Sequence, residues 1–486
     1  MRITNSMINL NIKTNLNNNK INADKYNTIL TTGQKITRPS DDPVVAIRAM
    51  KFNTSLSELN QFSEKNINDA MSWLTDTETA LVQTNDLLSN IKNSLTQANS
   101  GENKVQDLMN ILEEIKSLKN QIYMTGNADN TGRTVFTGCK TNESLTFLKD
   151  ENINYNITEK LNANDIVKEN YISGLSNVNR SSGYIESYNE ENIKENDLYK
   201  IKLSYKDINN VNLIIDNEKI NIKNVSINSL KESEKDKLFL NIKDDESIIV
   251  KETGELFLGK NTKDKMFNSK NIEINYEKSN WEKGDLKPEH YFTCETKNDD
   301  KTIKYNYPEF SNQKINYNIA YNQSLEININ ASDVFTHKIG NDIDELYNIT
   351  NSVLSAEEKI NSIKTMKENG KITEDEYNKM ISAAEKEYNL YKGKMKDIYS
   401  NKLSSFNNYL DDVNKQITKV GTLSSRLELT KNRIDDQILN IKELADKNIN
   451  ADLTETAINF SNAQTALQAA QLAAAKISSQ SLLNYL

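Results

Sequence analysis

Two apolar stripes with a seven-residue repeat, one near each end of the chain, constrain the fold more than any other feature of the sequence. The first stripe places an apolar residue at every seventh position, at Ile67, Leu74, Leu81, Leu88 and Leu95. The second keeps a 3-4 spacing through Leu410, Val413, Ile417, Val420, Leu427, Ile434 and Ile438. Such a stripe is stable only when another helix covers it, so we expect the two to pair in a long antiparallel coiled-coil rod. The alternative is that each stripe faces a separate globular core.

Each end of the chain carries a further helical pattern, and the sequence shows no partner segment that would bury its apolar face. The N-terminal pattern ends before Gly33 and is crowded with asparagine, a weak helix former. In the C-terminal pattern, Lys476 is the only charged residue after Glu455. We expect both ends to bind neighbouring molecules, through a subunit interface made of Ile3, Ile8, Ile12, Leu467, Leu472, Ile477, Leu482, Leu483, Tyr485 and Leu486.

The middle of the chain has a different periodicity. Between residues 140 and 335, apolar residues alternate with polar ones, as in 211–215, 272–276 and 315–321, which is typical of half-buried antiparallel strands. Thr253 and Gly254 separate two such runs and predict a hairpin turn. The fold class is therefore α+β, in which a β-rich domain is inserted into a helical rod.

These patterns divide the chain into five segments. We expect an N-terminal assembly helix at 1–40, a long helical hairpin of the rod at 41–140 and a β-rich outer domain at 141–335. The C-terminal half of the rod follows at 336–447, where Thr373 and Glu376 form a capping box, and a C-terminal assembly helix occupies 448–486.

Composition excludes several classes of partner. The net charge is −9, with 60 basic and 69 acidic residues, so the chain lacks the basic surface that nucleic acids and anionic lipids require. No stretch approaches the roughly 18 apolar residues of a membrane-spanning helix. The N-terminus lacks the apolar run of a secretory signal, so we expect either a cytoplasmic protein or export without a cleaved signal.

Catalytic and metal chemistry are also disfavoured. The chain has two histidines and two cysteines, too few for a histidine-based triad or a four-ligand structural zinc site. His290 and Cys294 are therefore interpreted as bystanders. Gly254 to Lys260 has phosphate-loop spacing, but Asn261 replaces the hydroxyl residue that such loops need. We expect neither an enzyme nor a cofactor or metal site.

Several short motifs together resemble the flagellins and their hook-associated relatives. They lie at residues 1–4, 32–43 and 135–138, in the alanine- and glutamine-rich 464–470 and in the closing 481–486. The resemblance covers about 1–145 and 400–486, and the two extreme ends look more like the hook-associated branch than flagellin itself. Residues 146–310 carry no such resemblance.

This resemblance implies a secreted structural protein of the bacterial flagellum that joins hook to filament, assembled as a ring of identical subunits through its terminal helices. The implied partners are other copies of the chain, a neighbouring hook-associated protein, flagellin, an export chaperone and the type III export apparatus. The alternative is the major filament subunit, flagellin. The resemblance does not extend to the arginine-rich segment through which flagellins are sensed by an innate receptor.

Overall fold

Along the chain, long helices precede and follow a sheet-rich middle region. The computed structural model describes residues 5–100, 104–172, 190, 193–230, 232–298, 301–307 and 312–483. Its helices are α1 (Asn5–Thr32), α2 (Pro43–Asn60), α3 (Asn68–Ala98), α4 (Val105–Thr125), α5 (Glu232–Leu240), α6 (Lys260–Asn268), α7 (His337–Glu368), α8 (Glu374–Ile449) and α9 (Leu453–Leu483). A π-helical stretch, Gln61–Ile67, joins α2 to α3. The α+β fold class is confirmed.

The strands of the middle region are short. They are β1 (Asp129–Asn130), β2 (Arg133–Thr134), β3 (Glu151–Lys160), β4 (Val167–Ile172), β5 (Glu195–Lys202), β6 (Asn209–Ile215), β7 (Glu218–Ile220), β8 (Ile222–Val225), β9 (Ser247–Val250), β10 (Glu255–Leu258), β11 (Ile272–Trp281), β12 (Thr293–Asn298), β13 (Lys301–Tyr305), β14 (Asn316–Ala320) and β15 (Gln323–Glu326). The expected turn between β9 and β10 is confirmed, and Gly254 there has a φ of 69° that favours glycine.

Most of these strands form two larger sheets. A five-stranded sheet has the order β4-β5-β10-β9-β8, and a six-stranded sheet has the order β13-β12-β3-β11-β6-β7. The expectation of antiparallel strands is wrong for one pair, because β8 runs parallel to β9. The two sheets share a buried core that includes Ile201, Leu256, Leu213, Ile274 and Tyr276. On the other face of the five-stranded sheet, Phe239 of α5 packs against Ile248 and Phe257.

The chain divides into two compact units. One comprises residues 1–69, 318–324 and 426–486, and the other comprises 70–317 and 325–425. We call these the terminal unit and the central unit.

Local sequence signals set the ends of several helices. Asp42 accepts hydrogen bonds from the backbone N–H groups of Val44 and Val45, and Pro43 occupies the first turn of α2. Gly33 follows α1 with a φ of 70°. The expected capping box is confirmed, since the backbone N–H of Thr373 donates to Glu376 at 2.8 Å. That contact lowers the pKa of Glu376.

A buried charge cluster connects the five-stranded sheet to α7 and α8 within the central unit. The Lys200 ammonium group on β5 contacts Glu169 and lies 2.9 Å from Glu255 and 3.4 Å from Glu345 of α7. Lys402 of α8 also pairs with Glu345. Burial raises the pKa of Glu345, but Lys200 and Lys402 outweigh it and lower that pKa to about 2.

Candidate assembly surfaces

In the terminal unit, α1 and α9 pack against each other in antiparallel directions. The backbone N–H of Lys35 donates to Ile449 at 2.7 Å, and that of Ala451 donates to Gly33 at 2.9 Å. Further along, the Asn19 amide donates to the Ala466 carbonyl at 3.5 Å. These contacts show that the two helices lie side by side. The first and last described residues are at the end of the pair opposite to Gly33 and Ala451.

The expected interface residues in these two helices fall into two groups. Ile8, Ile12 and Leu467 are half-buried, on the less exposed faces of α1 and α9, so part of their surface is already covered within one chain. Leu472 is 68% exposed and stays available to a neighbour. Ile3, Tyr485 and Leu486, and the side chains of Ile477, Leu482 and Leu483, lie outside the described residues, so their assignment remains a prediction.

The structure adds eleven large non-aromatic apolar residues that sequence reasoning missed. Together with Leu472 they form what we call the exposed apolar set of the terminal unit, in which each side chain is at least 51% exposed: Met7, Leu10, Ile21, Val44, Ile47, Met50, Leu429, Leu439, Leu444, Leu453, Ile458 and Leu472. Their exposure could have been predicted from the sequence, because several of these apolar residues fall between stripe positions, as Leu439 does beside Ile438. Solvent exposure of so many large apolar groups in one unit is typical of an interaction surface.

The residues of the two heptad stripes are the opposite case. Ile67, Leu74, Leu81, Leu88 and Leu95 are at most 1% exposed. In the second stripe Val413, Val420, Leu427, Ile434, Leu410 and Ile438 are buried, and Ile417 is half-buried. Every expected seam position is therefore at least half covered.

Within the terminal unit, residues near the start of the first stripe contact the C-terminal part of α8. Ser63 donates a hydrogen bond to Asp435 at 2.6 Å, and Lys431 donates to Asn68 at 2.8 Å. Lys431, which makes the contact with Asn68, is half-buried, and its neighbour Thr430 is buried. The pairing of the two stripes along their remaining length stays a prediction.

A single group of side chains among the described residues has the composition of a cation site. Glu143, Glu289 and His290 place possible ligand atoms within 4.8 Å of one another. However, the ammonium groups of Lys140 and Lys287 lie 3.7 and 4.0 Å from Glu289 and already supply positive charge. His290 contacts the Ser144 carbonyl, and burial lowers its pKa to about 4. These neighbours disfavour a metal ion.

No helix in the described part of the chain is both long enough and apolar enough to cross a membrane.

Comparison with known proteins assigns the two ends of the chain to one family. Residues 3–141 match the bacterial flagellin N-terminal helical region, and residues 403–486 match the bacterial flagellin C-terminal helical region. Both terminal regions of the chain therefore match the flagellin family, and residues 142–402 lie outside these matches.

Particular relatives include hook-associated proteins. The chain is 26% identical over 118 residues to flagellar hook-associated protein 3 of Escherichia coli strain K12, covering 24% of this chain and 37% of that protein. It is 31% identical over 120 residues to flagellin of Serratia marcescens, covering 25% of this chain and 34% of that protein. The chain thus matches about a third of the length of these curated relatives.

Among solved structures, flagellar hook-associated protein 3 from Legionella pneumophila overlaps 82% of this chain and 98% of its own. The sequence identity is 10% and the TM-score is 0.32. At that score the overlap alone establishes neither a shared fold nor a shared function.

Proposed function

We propose that this chain is a structural subunit of the bacterial flagellum that joins hook to filament, assembled as a ring through its terminal helices. The observation that carries the proposal is the exposed apolar set, which lies within the terminal unit formed largely by the two flagellin-like regions. Burial of each such side chain in an assembly is worth roughly 1.5 to 3 kcal/mol. A ring of identical subunits covers these residues without further folding of the central unit.

The proposal includes a set of partners and a location. The partners are other copies of the chain, a neighbouring hook-associated protein, flagellin, an export chaperone and the type III export apparatus. The location is the extracellular flagellum. Hook-associated protein 3 of E. coli and the terminal regions of the family support these assignments. The alternative is that the chain is flagellin, the major filament subunit.

The test uses two matched leucines in a strain that lacks the native gene. Leu439 belongs to the exposed apolar set and is 64% exposed, whereas Leu148 is 65% exposed but lies in the central unit. Leu439→Glu should prevent filament attachment while the subunit is still secreted. Leu148→Glu should give normal filaments, and equal defects in both variants would contradict the proposed surface.

Immunolabelling of intact flagella separates the junction from the filament. A junction subunit labels a single band at the base of each filament, since only a ring of copies is present there. Labelling along the whole filament would favour the flagellin alternative and reject the junction role.

A further inference from the structure

A cleft of about 490 Å³ in the central unit has no role in the assembly proposed above. Its walls come from the second half of α4, the end of β5 with the residues after it, the turn between β9 and β10, the end of β11 with the turn after it, and the first three turns of α7. That volume lies within the range of small-molecule sites. The cleft is therefore large enough for a compact ligand.

Lysines dominate the polar lining of this cleft. Six ammonium groups line it: Lys116, Lys119, Lys202, Lys206, Lys278 and Lys283. Within the described parts of the chain, none of the six lies within 4.0 Å of a carboxylate oxygen, although Lys200, Lys394 and Lys402 nearby all do. Lys202 and Lys278 instead donate to the carbonyls of Asn341 and Lys206, each at 3.0 Å. The cleft thus holds an excess of positive charge.

The acidic residues of the lining do not remove this excess. Four carboxylates are present, Glu252, Glu282, Asp285 and Asp344. Glu252 accepts hydrogen bonds from Ser226 and from the backbone N–H of Ile227, outside the cleft lining. Glu252 is thus held by partners outside the lining, and six lysines face four carboxylates in the cleft.

Burial makes this positive charge costly to hold. Desolvation lowers the pKa of Lys119, Lys202 and Lys278. Nearby carboxylates oppose this shift in part, and neighbouring lysines add a smaller contribution to it. A low-dielectric cleft lined by one sign of charge concentrates the opposite charge from solution. An anion in the cleft would offset the repulsion among these lysines.

The start of α7 adds two further features to the same cleft. His337, Gly340 and Asn341 from its first turns line the wall, and the positive end of a helix dipole favours an anion. The Nε2 atom of His337 is buried and has no hydrogen-bond partner among the described residues. The rings of Tyr205, Tyr291 and Phe292 enclose this imidazole. A buried polar atom without a partner is unusual and is consistent with a missing ligand.

We propose that the cleft binds a small polyvalent oxyanion, a phosphate or a di- or tricarboxylate, between the lysines of α4, β5 and β11 and the start of α7. The ammonium groups provide charge-assisted hydrogen bonds to the oxygens of the ligand. The α4 wall belongs to the N-terminal flagellin-like region, and none of the exposed apolar set lines the cleft.

The test measures binding of inorganic phosphate and of citrate to the full chain by calorimetry, at constant ionic strength set with chloride. We expect at least one of the two to bind, and the Lys119→Met/Lys206→Met double variant to bind it at least tenfold more weakly. Lys379→Met, which removes an exposed lysine outside the cleft lining, is the matched control and should bind like the wild type.

A second variant, expected to bind the anion more tightly, distinguishes a specific effect on binding from a loss of folding. Asp344→Asn removes a lining carboxylate, so it should tighten binding about threefold. The proposal is overturned if neither anion binds more tightly than chloride, if Lys379→Met weakens binding as much as the double variant, or if Asp344→Asn leaves the affinity unchanged.

Discussion

The Lys359 ammonium group of α7 donates to both carboxylate oxygens of Glu387 in α8, at 2.8 and 3.1 Å. The two side chains are 6% and 1% exposed. This ion pair lies in the segment 336–447, which the sequence analysis assigned to the rod, and it joins α7 to α8. Because both charges are desolvated, the opposite charge offsets part of the free-energy cost of burying each one.

Glu387→Gln should therefore destabilise the central unit by about 3 to 5 kcal/mol, because it removes the negative charge that lies against the buried Lys359 ammonium group. The double variant Lys359→Met/Glu387→Leu should recover most of this loss. Urea denaturation of the three proteins measures both effects. Equal losses in the single and double variants would mean that packing, rather than charge, determines the effect.

Glu289 predicts a pH dependence of stability. Burial, followed by the hydrogen bond that protonated Glu289 donates to Glu143, raises the pKa of Glu289 from 4.5 to about 7. The folded state therefore holds a proton that the unfolded state releases, so this contribution to stability is complete below pH 4.5 and is lost as the pH rises to 7. At pH 8 the free energy of unfolding of Glu289→Gln should be about 1 to 3 kcal/mol larger than that of the wild type. Thermal melts from pH 4 to 8 should show a flatter profile for the variant, and parallel profiles would reject the assignment.

Two adjacent residues of α3 test the seam. Leu81 is completely buried, whereas Val82 is 43% exposed. Leu81→Asp places an unpaired charge in the seam and should cost several kcal/mol. Val82→Asp should change the stability by less than about 0.5 kcal/mol. If Leu81→Asp melted within a degree of the wild type, the seam assignment would be wrong.

The C-terminal tail should matter for assembly and not for stability. Removal of residues 481–486 deletes Leu482, Leu483, Tyr485 and Leu486, which would forfeit several kcal/mol of subunit contact at roughly 1.5 to 3 kcal/mol per buried side chain. We expect cells to secrete the truncated subunit without incorporating it into the junction, while its melting transition stays unchanged. Normal filaments attached through the truncated subunit would exclude this interface.

Amide exchange on the dilute monomer should be faster in α1 and α9 than in α3. These two terminal helices pack on each other, and α1 contains many asparagines, whereas the stripe on α3 is completely buried. Assembly should slow exchange in both terminal helices. Strong protection of α1 and α9 in the monomer would show that they need no neighbour.

Local chemistry explains what could be read from the sequence. The heptad spacing of Leu74 to Leu95 predicted a buried face, the Thr373 capping box predicted the start of α8, and Gly254 predicted a turn. Each of these features depends on residues within one or two turns of the chain. The family motifs at both ends are likewise short contiguous segments, so no tertiary information was required to recognise them.

The sequence by itself determined the helical ends, the β-rich middle, the buried stripes and the resemblance to flagellins. Only the tertiary structure decided the parallel β8–β9 pair, the Lys359–Glu387 and Glu143–Glu289 pairs, the lysine cleft, and which apolar residues of the terminal unit remain exposed. The π-helical stretch before α3, in which Ser63 and Ile67 are buried, also belongs with these features. Periodicity reports which face of an element is apolar, but many chain topologies bury the same faces. Which distant side chains then meet depends on the packing of the whole chain.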